Sequence, residues 1–178
     1  MEILILAVVT LPLLTALFLK VANRFLNELL TNFITINAAL LSVAVSFFMF
    51  GYLLLDKFKP IKFELFEWYP SPQIIFEFYL DGLSGVMMIL ISGLSLVIQL
   101  FSTSYMSKDE KYTKYFEYFN FFVFSMLLLV LSGNFLVMFF GWELVGLSSY
   151  LLISFCLLYT SDAADDMQCV DLGGRRII

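Results

Sequence analysis

The chain has 178 residues, of which 61% are hydrophobic and only 14% charged, with a formal net charge of −5 and no histidine. Soluble domains carry roughly 25% charged residues, so a soluble globular class is excluded, and an acidic chain lacks the basic footprint that nucleic acid requires. The absence of histidine removes the commonest metal ligand, and the heavy use of Phe, 21 in all, fits an AT-rich coding genome such as an organelle's.

The charges gather in short clusters between apolar runs of about 17 to 25 residues, the length that crosses roughly 30 Å of hydrocarbon. This pattern predicts an all-α, polytopic transmembrane helix bundle of about five spans. Span one is expected over Ile3 to Leu19. It has Glu2 and no basic residue ahead of it, and further spans follow, so it reads as a retained helix rather than a secretory signal. Pro12 within it is tolerable because neighbouring helices can satisfy the freed carbonyl. Lys20, Arg24 and Glu28 form a polar link, and span two covers Leu29 to Leu55.

The stretch from Asp56 to Tyr79 differs. Pro60, Pro70 and Pro72 punctuate it, and Ile61, Phe63 and Leu65 alternate with Lys62, Glu64 and Phe66 in an approximate period of two, which predicts a short extended hairpin. Trp68 and Tyr69 suit the headgroup level there. Span three follows over Leu80 to Phe101, with Asp81 as N-cap ahead of Ser84. Span four is expected over Tyr115 to Leu131, a tight turn at Ser132, Gly133 and Asn134, and span five on to about Leu158. Lys20, Arg24, Lys108, Lys111 and Lys114 on one side outnumber Lys57, Lys59 and Lys62 on the other, which places the N-terminus outside.

From about Cys156 the membrane pattern stops. The string LLYTSDAADDMQCVDLGGRRII resembles the translated read-through of a sequencing adapter, so residues 156–178, with Cys156 and Cys169 among them, are set aside from fold reasoning.

One residue in the spans carries chemistry. Glu143 lies about 13 Å of helix beyond Asn134, close to the bilayer midplane. A carboxylate there costs about 3 kcal/mol to insert, while each Leu, Ile, Val or Phe of span five returns roughly 0.3 to 0.6 kcal/mol, so the span still inserts. An intramembrane carboxylate is by default part of a proton or ion pathway. The plainer alternative is a protonated Glu hydrogen-bonded to a neighbouring helix, with Ser148 or Ser149 type hydroxyls as partners. No Lys or Arg falls inside the five expected spans, so a basic partner must come from elsewhere. Gly141, Gly146 and Ser149 are expected to allow close helix approach near Glu143. Asn37 and Ser125 read as interhelical contacts, Gln99 as locally hydrogen-bonded, and Lys108, Asp109, Glu110 and Lys111 as a solvated loop.

The stretch FSMLLLVLSGNFLVMFFGWELVGLSSYLLISF, Phe124 to Phe155, closely resembles subunit 5 of respiratory complex I, the NADH:ubiquinone oxidoreductase. The stretch YLDGLSGVMMILISGLSLVIQLFSTSYM, Tyr79 to Met106, looks like the same family's N-terminal region. The resemblance implies a mitochondrially encoded, antiporter-like subunit of the inner membrane, surrounded by other membrane-arm subunits and lipid. It also implies no NADH, flavin, iron–sulfur or metal site in this chain, NADH and ubiquinone being used by the whole complex. Residues 1–133 would be the N-terminal region and 134–155 the start of the proton-conducting domain. Glu143 would be the acidic half of a Glu and Lys pair whose lysine lies on later helices. Two other readings stay open: the large subunit of a multisubunit cation/proton antiporter, and a plain structural membrane protein with an incidental Glu.

Overall fold

The computed structural model describes residues 2–70, 73–107 and 111–174, with side-chain surroundings for 3–67, 75–107 and 111–155. The chain runs α1 (Glu2–Ala22), α2 (Glu28–Leu55), β1 (Ile61–Pro70), β2 (Gln73–Leu80), α3 (Gly82–Tyr105), α4 (Tyr112–Val130) and α5 (Phe135–Gly174). Four of these helices are long and apolar enough to cross a membrane by length and composition: Ile3–Ala22, Glu28–Leu55, Gly82–Tyr105 and Phe135–Phe155. α4 is more polar, carrying Lys114, Glu117 and Asn120, yet its two ends show that it traverses the same thickness. At one end Thr113 meets Thr31 at the start of α2, their hydroxyls 3.2 Å apart. At the other, the Leu131 carbonyl that closes α4 accepts from Tyr79 N of β2 at 2.8 Å.

α4 can afford its polarity because it is the central helix, packed against α1, α2, α3 and α5. Asn120 and Ser125 are buried within it. α2 and α3 pack together, and each buries small and hydroxyl residues, Thr31, Thr35, Ala39, Ser42 and Ser46 on one, Ser84, Gly85, Ser92, Ser95 and Ser102 on the other. Between membrane helices the apolar effect gives no preference for protein over lipid, and small residues let backbones approach. Large apolar side chains accordingly point outward, as with Phe33, Phe48, Val97 and Phe101, each more than 60% exposed.

The expected hairpin is present. β1 and β2 pair antiparallel from Ile61↔Leu80 to Pro70↔Gln73, with register shifts between Glu64 and Phe66 and between Glu67 and Tyr69. Phe63 stacks on Phe78 and Phe66 on Phe76, with centroids 6.5 and 5.4 Å apart. Phe78 and Leu80 enter one core cluster with Ile5, Met49, Met88 and Leu127, so the hairpin plugs one end of the bundle. Leu19, Met106, Tyr112 and Phe116 form a second cluster at the other end. The side chains of Trp68 and Tyr69, and Lys108, Asp109 and Glu110, lie outside the described residues.

Helix ends differ from the expected spans. α1 runs past Leu19 to take in Lys20, and α4 begins early enough to take in Lys114, because Lys is a good helix former whose long stem lets the ammonium reach the interface. α5 continues to Gly174, beyond Leu158, uninterrupted by proline and supported by Ala163 and Ala164. Pro12 sits inside α1 as expected.

Candidate functional site

The position of Glu143 is set where α5 begins. Asn134 accepts from Val137 N at 3.0 Å, the N-cap arrangement, and its side-chain amide donates to the Ile75 carbonyl of β2 at 2.6 Å. Gly133 N donates to the Glu77 carbonyl at 2.9 Å. A Cβ at Gly133 would fall 2.5 Å from Glu77 Cγ and 3.0 Å from its carbonyl oxygen, so the turn can approach the strand only with glycine there. The hairpin thus fixes the depth of every residue that follows.

Glu143 then lies about 12 Å along the helix from Phe135, well inside the membrane-length stretch Phe135–Phe155. α5 packs on α4 through Val137 and Ser148, both fully buried, and through Gly141 between them. These positions share one face at helical spacing. Two residues on from Gly141, Glu143 is turned about 200° away, and it is exposed on the outward face with Trp142, Leu147 and Tyr150. Among the described residues no side chain pairs or hydrogen-bonds with it. The Ser148 hydroxyl faces α4 and donates to the Val145 carbonyl of its own helix at 3.1 Å, so it is not the partner of Glu143.

The small residues divide. Gly141 does what its context predicts, since a Cβ there would meet Leu129 Cα at 2.7 Å. Gly146 does not, because among the described residues nothing lies within 4 Å of a Cβ built on it. It sits beside Glu143 on the open face, an apolar surface interrupted by one carboxylate and one notch.

Other polar residues resolve as follows. Asp81 caps α3 in a reciprocal box: Ser84 N donates to Asp81 Oδ1 at 2.8 Å and Asp81 N donates to Ser84 Oγ at 2.8 Å. The bond from the Ser84 amide, ahead of an opposing desolvation, holds the Asp81 carboxyl below the usual aspartate range. Gln99 bonds across helices rather than locally, donating to Asn120 Oδ1 at 3.4 Å. Asn37 and Ser125, expected to bridge helices, instead donate to Phe33 O at 2.6 Å and Phe121 O at 2.8 Å, because the carbonyl four residues back is the nearest acceptor in hydrocarbon.

A second carboxylate, the half-buried Glu117, was not among the expected site residues. Glu117 in α4 lies within electrostatic reach of Lys20 and Lys114, and all three line one cavity between α1, α4 and α5. The i, i+3 spacing of Lys114 and Glu117 was the available signal.

The chain is similar to several known proteins. Residues 68–116 match the family described as NADH-Ubiquinone oxidoreductase (complex I), chain 5 N-terminus. The NADH-quinone oxidoreductase subunit L of Buchnera aphidicola (subsp. Schizaphis graminum) is 36% identical over 88% of this chain and 26% of its own length. The NADH-ubiquinone oxidoreductase chain 5 of Allomyces macrogynus is 36% identical over 84% of this chain and 24% of its own. The Na(+)/H(+) antiporter subunit A1 of Staphylococcus haemolyticus is 32% identical over 83% and 18%. The chain therefore spans about a quarter or less of the length of the curated relatives it matches. A chain in the structure of the membrane-bound sulfane sulfur reductase, an archaeal respiratory membrane complex, shares the fold, with a TM-score of 0.77 over 98% of this chain and 34% of that one at 21% identity.

Proposed function

Because this chain belongs to the complex I chain 5 family, as an N-terminal portion of it, we propose that it serves in a membrane-arm subunit that translocates protons as electrons pass from NADH to quinone. Glu143 is the proton-relay carboxylate in this reading. One observation carries it: Glu143 sits deep in α5 yet is exposed, on the side of the helix turned away from its packing on α4. A carboxylate bare to lipid is costly, so such a residue belongs against protein or a water-filled path. A basic partner for it would arrive from helices beyond those described. The NADH and quinone chemistry belongs to other parts of the complex, this chain contributing no redox centre of its own. The setting is the mitochondrial inner membrane, with other membrane-arm subunits as neighbours.

Glu143→Gln in the full-length protein, assembled in its complex, is expected to slow proton pumping sharply while assembly stays intact. Unchanged pumping and quinone reductase rates would sink the relay role. The antiporter reading is favoured by the 32% identical antiporter subunit alone. It makes a different prediction in the same preparation, namely proton movement driven by a sodium gradient without NADH or quinone.

A further inference from the structure

We propose that the cavity between α1, α4 and α5 is a binding groove for one anionic phospholipid, with the phosphate held by Lys20 and Lys114 and an acyl chain laid along the apolar wall. The cavity has a volume of about 590 Å³. Its lining includes the charged Lys20, Lys114 and Glu117 and the apolar Leu17, Phe121 and Leu151. Each helix contributes a single face. On α1, Lys20 and Leu17 are three residues apart and Leu13, also lining the cavity, four further. On α4, Lys114, Glu117 and Phe121 repeat the same three-and-four spacing, which stacks them on one side of a helix. From Lys20 to Leu13 the stripe runs about 10 Å along the helix axis, from headgroup level into hydrocarbon.

The charge and the side of the membrane both select the lipid. Two ammonium groups against one carboxylate leave a net positive rim, with Glu117 in electrostatic reach of both lysines. Lys114 is anchored there, with its Nζ 5.8 Å from the centroid of the Tyr118 ring. The rim lies at the end of the bundle holding the first and third links, where basic residues are in excess, and anionic lipid concentrates on the basic side of the membrane. A soluble phosphate would use the lysines and leave the leucine wall unused. A zwitterionic lipid would use the wall and gain little from the lysines. Only an anionic lipid uses both.

The test is lipid retention by the 178-residue chain. The chain is reconstituted in nanodiscs of equal phosphatidylglycerol and phosphatidylcholine, extracted in an uncharged detergent, and the carried lipid is counted by native mass spectrometry. One phosphatidylglycerol per chain is expected. Each lysine near the surface contributes roughly fivefold to anionic-lipid affinity, so Lys20→Gln with Lys114→Gln should lower retention about thirtyfold with phosphatidylcholine unchanged. Leu17→Trp with Leu151→Trp, which fills the groove and keeps both lysines, should also expel the lipid, and it decides the matter alone if the lysine variant loses its helicity by circular dichroism. Equal retention of the two lipids overturns the proposal, as does retention indifferent to both double variants. Displacement of the lipid by glycerol phosphate at equal concentration would assign the lysines to free phosphate instead.

Discussion

A Cβ placed on Gly141 falls 2.7 Å from Leu129 Cα and 2.8 Å from Leu129 N, so α5 rests on α4 at a distance that backbone alone permits. Because the obstruction is backbone rather than the end of a side chain, no rotamer change relieves it. Gly141→Ala is therefore expected to destabilise the bundle by about 1 to 3 kcal/mol, the usual cost of overpacking. It should also displace Glu143, two residues on. Thermal unfolding of the detergent-solubilised chain would measure the loss, and an unchanged midpoint would show that the two helices do not meet here.

The cap of α3 predicts a pH dependence. The Asp81 carboxyl titrates below the ordinary aspartate range when folded. Its contribution is therefore fully present above the unfolded-state value and is lost as pH falls through the lower, folded one. Asp81→Ala should cost about 1 kcal/mol at neutral pH, the usual worth of such a cap. The difference between the two proteins should vanish in strong acid, with urea or heat titrations at several pH values as the measurement. A constant difference across the acid range would rule out the carboxylate as its source.

Gln99 and Asn120 offer a direct measure of a buried polar contact in a membrane bundle. The bond between them is long at 3.4 Å, the Gln99 Oε1 atom has no partner among the described residues, and Asn120 also donates to the Phe116 carbonyl of its own helix at 2.8 Å. A double-mutant cycle with Gln99→Leu and Asn120→Leu should give a coupling near 0.6 kcal/mol, the average for such pairs in membranes. A coupling above roughly 1.7 kcal/mol, the largest found for such pairs, would mean that the pair is tighter than its geometry indicates.

Much of this architecture is legible in the sequence because local rules write it: apolar run length gives the spans, Asp81 and Ser84 the cap, the period-two stretch at Ile61 the hairpin, and Gly133 with Asn134 the last turn. Which way each helix faces is much less legible. In lipid, outside and inside are both apolar, and the stretch Phe135–Phe155 of α5 is apolar nearly all round, so hydrophobicity does not say whether Glu143 faces α4 or away from it. Small residues carry the facing information instead, and they do so ambiguously. Gly141 and Gly146 look alike in sequence, yet a Cβ on one would meet backbone and a Cβ on the other would meet nothing within 4 Å among the described residues. Asn37 and Ser125 mislead for a related reason: a polar side chain in hydrocarbon can satisfy itself on its own helix, so polarity alone does not imply a neighbour.

The contrast between the two glycines makes the open face of α5 testable. In the 178-residue chain, Gly146→Ala adds a methyl to empty space and replaces glycine with the best helix former. The stability change should therefore be neutral or a gain of up to about 1 kcal/mol. Gly146→Leu should be tolerated as well, since Leu147 and Tyr150 already stand exposed beside it. In a protein carried to the length of its relatives, a helix seated over Glu143 would approach most closely at the notch Gly146 leaves. Gly146→Leu should then impair assembly or proton pumping, and Gly146→Ala less so. The measurements are thermal unfolding of the short chain and pumping by the assembled complex. If Gly146→Leu left the assembled complex fully active, no helix would pack at that notch, and the carboxylate beside it would have to be covered by something else.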